Sequence, residues 1–179
     1  MSQRRVSYES ALVILVPEAD AIVGRWRQRY DPSAAVGMPA HITINYPFLP
    51  GEPVDAETID QLRVLFSSFP PLRFSLIEAR QFFDTVYLAP HPDEPFMELI
   101  QAVVARYPQS PPYGGIFSEV VPHLSLAQSD NAAELEFVLR EFAPMSDGRL
   151  PIEAVANEVW LMDNRNGRLE KHLAFRLGL

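Results

Sequence analysis

Two short stretches of this 179-residue chain set an imidazole beside a hydroxyl with the same spacing. The first is His41-Ile42-Thr43-Ile44, and the second, 82 residues further on, is His123-Leu124-Ser125-Leu126. In an extended strand residues i and i+2 share a face. His41 and Thr43 therefore project together, as do His123 and Ser125, while Ile42, Ile44, Leu124 and Leu126 turn the other way and anchor the backbone in a core. The residue types suit chemistry at phosphorus. Attack on a phosphodiester needs one proton taken from the nucleophile and one given to the leaving oxygen. Histidine titrates near pH 6.5, so a neutral and a protonated imidazole coexist near neutrality. Positioned acid–base groups typically contribute ~10²–10⁴-fold in rate. The two hydroxyls can donate to non-bridging oxygens, where charge builds in the transition state. Four such groups around one phosphorus need no metal. A zinc site would need three or four ligands; Asp84 or Glu119 could join the histidines, yet no ligand-spaced cluster accompanies them.

Other side chains are weaker candidates. Tyr46 and Tyr113 are assigned to substrate binding as aromatic platforms, ahead of Phe48, Phe82 and Phe83; stacking on a base is worth ~1–3 kcal/mol. Arg80 and Arg149 are candidates for a phosphate clamp, with surface ion pairing as their default reading. His91, in Pro90-His91-Pro92-Asp93, reads as an exposed turn residue, and His172 as a surface or paired histidine of the last strand.

The elements that must position these residues follow from periodicity. Apolar runs and alternation predict strands over Ser10–Pro17, His41–Phe48, Leu72–Phe82, Val86–Pro90, Pro122–Gln128, Leu150–Met162 and Lys171–Leu177. Helical spacing covers Glu18–Tyr30, Asp55–Phe69, Phe96–Tyr107 and Asn131–Phe142, the last with Asp130 as its N-cap. Loops rich in proline and glycine lie over Asp31–Ala40 and Pro108–Gly115. Both halves run strand, helix, loop, histidine strand, helix, strand, and Leu72-Arg73-Phe74 echoes Leu150-Pro151-Ile152. With two copies of about 75–80 residues, this predicts an internal duplication and two facing lobes rather than a stacked array. The expected fold is α+β: one bilobal domain over 1–179, its pseudo-symmetric lobes formed approximately from 1–84 and 85–179 with strands open to exchange. Each lobe is an antiparallel sheet with helices outside, around a central groove.

Composition narrows the partners. The net charge is -8, with 23 acids against 15 Lys and Arg. That favours a small nucleotide or an RNA end over a long polyanion, which usually requires a basic face. There are no cysteines, so disulfides, thiolate nucleophiles and cysteine-ligated clusters are excluded. No apolar run reaches the ~18 residues of a membrane span, and no cleavable signal pattern follows the basic Met1–Arg5 stretch. A cytoplasmic monomer without cofactors is the expectation. The rival from another class is a non-catalytic nucleotide- or RNA-binding module that keeps the groove.

The segments His41-Ile42-Thr43-Ile44-Asn45-Tyr46-Pro47-Phe48 and Pro122-His123-Leu124-Ser125-Leu126-Ala127 resemble the paired His-x-Thr/Ser motifs of the 2H phosphoesterase superfamily, in its 2′-5′ RNA ligase-like and cyclic phosphodiesterase branch. The resemblance spans almost the whole chain. It implies a bilobal fold with a central groove and metal-free hydrolysis of 2′,3′-cyclic phosphates or related phosphodiesters, sometimes with reversible 2′-5′ ligation. It also implies that His41 and His123 are catalytic, with His41 the proton donor and His123 the acceptor, and that Thr43 and Ser125 bind phosphate.

Overall fold

A computed structural model describes residues 7–178; the basic stretch read at Met1–Arg5 lies outside them. Eight strands are formed: β1 (Ser10–Leu15), β2 (His41–Asn45), β3 (Leu72–Phe82), β4 (Thr85–His91), β5 (Leu124–Gln128), β6 (Ile152–Ala156), β7 (Glu158–Asp163) and β8 (Glu170–Arg176). The helices are α1 (Asp20–Tyr30), the single turn α2 (Pro32–Ala35), α3 (Ala56–Ser67), α4 (Glu94–Arg106) and α5 (Ala132–Met145). The strands make two four-stranded sheets, ordered β2-β1-β7-β8 and β5-β4-β3-β6, and every pairing is antiparallel. This is the α+β architecture of two sheets and covering helices that the periodicity predicts. No helix among the described residues is long and apolar enough to cross a membrane.

Local chemistry explains most boundaries. Asp55 caps α3 by accepting from the Thr58 N–H at 2.7 Å. For α5 the cap is Asn131, not the expected Asp130: Asn131 has the extended backbone a cap requires, and its Oδ1 accepts from Ala133 N–H at 3.0 Å. The loop read over Asp31–Ala40 contains α2, started by Asp31 and by Pro32, whose missing N–H costs nothing at a first helical position. The single strand expected over Leu150–Met162 is two strands in different sheets, separated at Asn157, whose carbonyl accepts from Leu177 N–H at 2.8 Å. The alternation slips phase there, from Ile152, Ala154 and Ala156 buried to Val159 and Leu161 buried across the polar pair Asn157-Glu158, a signal that the single-strand reading passed over.

The two sheets correspond in their register. β1 pairs with β2 so that Val13 faces Thr43, and β4 pairs with β5 so that Tyr87 faces Ser125. Each ladder slips at the same place, between Leu12 and Val13 in one and between Val86 and Tyr87 in the other. Bulges of this kind re-aim side chains beside sites. The third strands are exchanged: β3 leaves the first half to pair with β4, and β7 returns from the second half to pair with β1. By sheet position β3 is thus the counterpart of β7, and β6, at the sheet edge, that of β8. The echo read between Leu72-Arg73-Phe74 and Leu150-Pro151-Ile152 is corrected accordingly.

The helices cross over as well, α1 packing on β5 and α4 on β2. Each histidine strand is backed by a helix from the other half. One buried cluster consequently unites Leu12, Ile14, Ile42 and Ile44 with Leu76, Val86, Leu88, Leu124 and Leu126. Burying each such side chain contributes about 1.5–3 kcal/mol, which fixes the two edge strands that carry the histidines.

Candidate active site

The opposite faces of these edge strands open onto a cavity of about 640 Å³ between the sheets. Burial alternates along β2, with Ile42 and Ile44 inside and His41 and Thr43 half-buried at the cavity wall; Leu124 and Leu126 alternate with Ser125 along β5 in the same way. His123 stands one residue ahead of β5 rather than within it. His41, Thr43, Tyr46, Tyr113, His123 and Ser125 all line this one cavity. Ala11 and Val13, on the face of β1 that packs against Met38 and Met162, contribute apolar wall.

Both imidazoles are oriented by the same device. His41 Nδ1 lies 2.7 Å from the Pro39 carbonyl oxygen, and His123 Nδ1 lies 2.7 Å from that of Val121. A carbonyl only accepts, so each Nδ1 carries the hydrogen and donates it. In the neutral ring Nε2 is then the unprotonated nitrogen, available as a base, or as a donor once it gains a proton. Burial pulls the His41 pKa down to about 4, with the Pro39 bond and Asp31 opposing this and the charges of Arg27 and His123 adding to it. Burial lowers His123 too, against its Val121 bond and Asp31. Each histidine responds to Asp31 and His41 also to His123, which puts both rings in one electrostatic neighbourhood.

The loop that presents Pro39 is braced from α1. Arg27 and Asp31 form a buried ion pair, Nε to Oδ2 at 2.9 Å. A second Arg27 nitrogen donates to Ser33 Oγ at 3.0 Å, and Asp31 Oδ1 accepts from Ser33 N–H at 2.9 Å. The Met38 N–H then donates to the Ser33 carbonyl at 3.0 Å. Sequence reading missed this network, because an arginine in the last turn of a helix reads as an ordinary solvated cation; the Arg27/Asp31 spacing of i, i+4 was the available signal.

The aromatic residues have separate duties. Tyr46 donates its hydroxyl to Glu9 at 2.8 Å, and burial followed by that carboxylate pushes its pKa up to about 12. Its carbonyl accepts from Tyr113 N–H at 2.6 Å, which docks the loop after α4 onto the end of β2. Burial raises the Tyr113 phenol, opposed by a hydrogen bond with the Thr43 side chain. Phe82 and Tyr87 stand edge-on to the His123 ring, with centroids 5.1 and 5.7 Å away. Phe48, by contrast, is core.

Arg80 and Arg149 are not at the site. Arg80 pairs with Glu78 on the exposed side of β3, and Arg149 donates to the Ala21 carbonyl at 3.3 Å. Neither lines the cavity, and His91 and His172 are exposed elsewhere. Asp84 and Glu119 do line it, but among the described residues no three His, Asp or Glu side chains converge as a metal's ligands.

Comparison with known proteins agrees with this geometry. The family model described as the 2′-5′ RNA ligase superfamily matches residues 15–168. A Bacillus licheniformis protein named "Putative phosphoesterase" is 26% identical over 126 residues, covering 65% of this chain and 69% of its own. Escherichia coli LigT, solved with 3′-AMP, superposes with a TM-score of 0.60 at 19% identity, covering 97% of this chain and 99% of LigT. TT0787 of Thermus thermophilus superposes with a TM-score of 0.56 at 15% identity, covering 94% and 97%. At these identities the structural likeness is one of fold. The family model spans most of the chain and includes both histidine motifs: this protein belongs to the 2′-5′ RNA ligase superfamily, that is, to the 2H phosphoesterases.

Proposed function

We propose that this protein hydrolyses a 2′,3′-cyclic nucleotide or the terminal cyclic phosphate of RNA without a metal ion, with 2′-5′ RNA ligase-like joining as the same displacement made by a 5′-hydroxyl in place of water. The observation that carries this reading is the matched pair of imidazoles on one cavity, each tied through Nδ1 to a backbone carbonyl and each beside a hydroxyl. In hydrolysis one imidazole Nε2 takes a proton from water as it attacks phosphorus. One ester bond to the ribose breaks, and the other imidazole delivers a proton to the departing oxygen. Thr43 and Ser125 donate to the non-bridging oxygens. Phe82 and Tyr87 keep the His123 ring upright, and Tyr46 and Tyr113 flank the ligand.

Following the family resemblance, His41 is the donor and His123 the acceptor. A donor must hold a proton near neutral pH, so the negative charge of the bound phosphodiester has to lift His41 well above the value of about 4 to which burial lowers it. The complex of E. coli LigT with 3′-AMP supports a small nucleotide as ligand here.

The test is turnover of a 2′,3′-cyclic mononucleotide in EDTA, with a bell-shaped pH profile. His41→Ala and His123→Ala should each lower it by about 10²–10⁴-fold with the fold intact. Loss of activity in EDTA, full activity in either variant, or nucleotide binding by the wild type with no turnover would overturn the proposal.

A further inference from the structure

Phe83 bears two costs that folding does not repay. It occupies the first position of the two-residue turn between β3 and β4, where Phe82 pairs with Thr85, and its φ is 44°. Of the two turn residues only Phe83 has a positive φ, and glycine is the residue such a turn prefers at that position. Its ring is also 82% exposed. Strain at a residue that fills no core points to a ligand, and Phe83 stands at the cavity mouth. Across the opening Tyr113, likewise at positive φ (53°), reaches back towards it through Phe117: the ring centroids are 5.6 Å apart for Tyr113–Phe117 and 6.1 Å for Phe117–Phe83.

The charged lining is one-sided. Among the described residues no arginine or lysine lines the cavity, whereas Asp31, Asp84 and Glu119 do. Asp31 is matched by Arg27. Asp84 receives only neutral donors, Thr85 Oγ1 and Gln128 Nε2, both at 3.0 Å.

We infer that the site selects ligands carrying a single phosphate group and one flat, apolar-faced body: Phe83 and Phe117 hold that body, and Asp84 and Glu119 repel ligands bearing a second phosphate. This rests on the phosphodiesterase reading for its catalytic part but is tested separately from it.

The experiment measures binding of adenosine 3′-monophosphate, adenosine 3′,5′-bisphosphate and inorganic phosphate to the whole protein. At low salt the bisphosphate should bind about tenfold more weakly than the monophosphate, two unscreened carboxylates acting across the cavity. The gap should close near 1 M salt, where screening shortens to about 3 Å, and narrow in an Asp84→Asn/Glu119→Gln variant. Phe83→Gly should weaken the monophosphate about tenfold, leave inorganic phosphate unchanged, and keep or raise the thermal midpoint because the strain is relieved. Phe83→Ala, which keeps the strain, should show the same loss of affinity. A bisphosphate that binds as tightly as the monophosphate, or a Phe83→Gly protein that loses stability and keeps affinity, overturns the inference. Turnover of 2′,3′-cyclic AMP is scored independently: if it fails while the binding order holds, the ligand class stands and the phosphodiesterase reading falls; if it succeeds with the bisphosphate preferred, the reverse is true.

Discussion

His41 stands inside β2 with the buried Arg27–Asp31 pair near it, whereas His123 stands one residue ahead of β5 with Phe82 and Tyr87 against its ring. The backbone around them is nearly the same. Each donates Nδ1–H to the carbonyl two residues earlier, each precedes a hydroxyl by two residues, and each ladder is bulged at the corresponding place. The two halves therefore share the part that aims the rings and differ in what surrounds it. Orientation is a property of the motif, while proton affinity is a property of what packs beside it: a charged network on one side, aromatic edges on the other.

If the shared parts do the chemistry, removing either ring should have the largest effect. His41→Ala and His123→Ala should each lower kcat/KM by about 10²–10⁴-fold. The double variant should be little worse than either single one, since the groups act as a unit. Additive losses would mean that the two halves act separately. The hydroxyls come next: Thr43→Ala and Ser125→Ala should each cost about 10–10²-fold, the lower part of the range for lost transition-state donors. A silent Ser125→Ala would break the equivalence of the two sides.

The divergent parts predict unequal effects on stability. Arg27→Met strands Asp31 in a buried position, and breaking such a pair typically costs about 3–5 kcal/mol, measurable by urea unfolding. The His123 side has no charged counterpart of this pair, so Phe82→Ala should cost less, because its ring is only half-buried.

The surroundings of His41 also predict a pH dependence. Unfolded His41 takes up a proton near pH 6.5 and folded His41 near pH 4. Between these values the unfolded chain binds more protons, so stability falls as pH drops through that window and is fully present above it. His41→Gln should flatten this part of the curve. His123 shifts in the same direction.

Much of this was legible in the sequence because strands and histidine motifs obey short-range rules. The i, i+2 spacing of His41 with Thr43 and of His123 with Ser125 placed four groups on the correct faces, and apolar alternation located β3 to the residue. What was not legible depends on contacts distant along the chain. The phase slip at Asn157-Glu158 shows where β6 and β7 part but not that they join different sheets, and nothing local says that β3 exchanges sheets. Arg80 kept to its default reading as a surface ion-pairing residue, with Glu78 as its partner. The carbonyls of Pro39 and Val121 escaped notice because backbone acceptors have no signature in residue type, and Phe83 was read only as a weaker stacking candidate because its positive φ is a feature of the turn's geometry.

Whether the two rings meet a single phosphoryl group can be read from histidine Cε1–H resonances, assigned through the single variants, as the wild type is titrated with adenosine 3′-monophosphate. Both signals should move together along one 1:1 binding curve. Movement of only one, or two distinct midpoints, would show that the imidazoles do not share a phosphate.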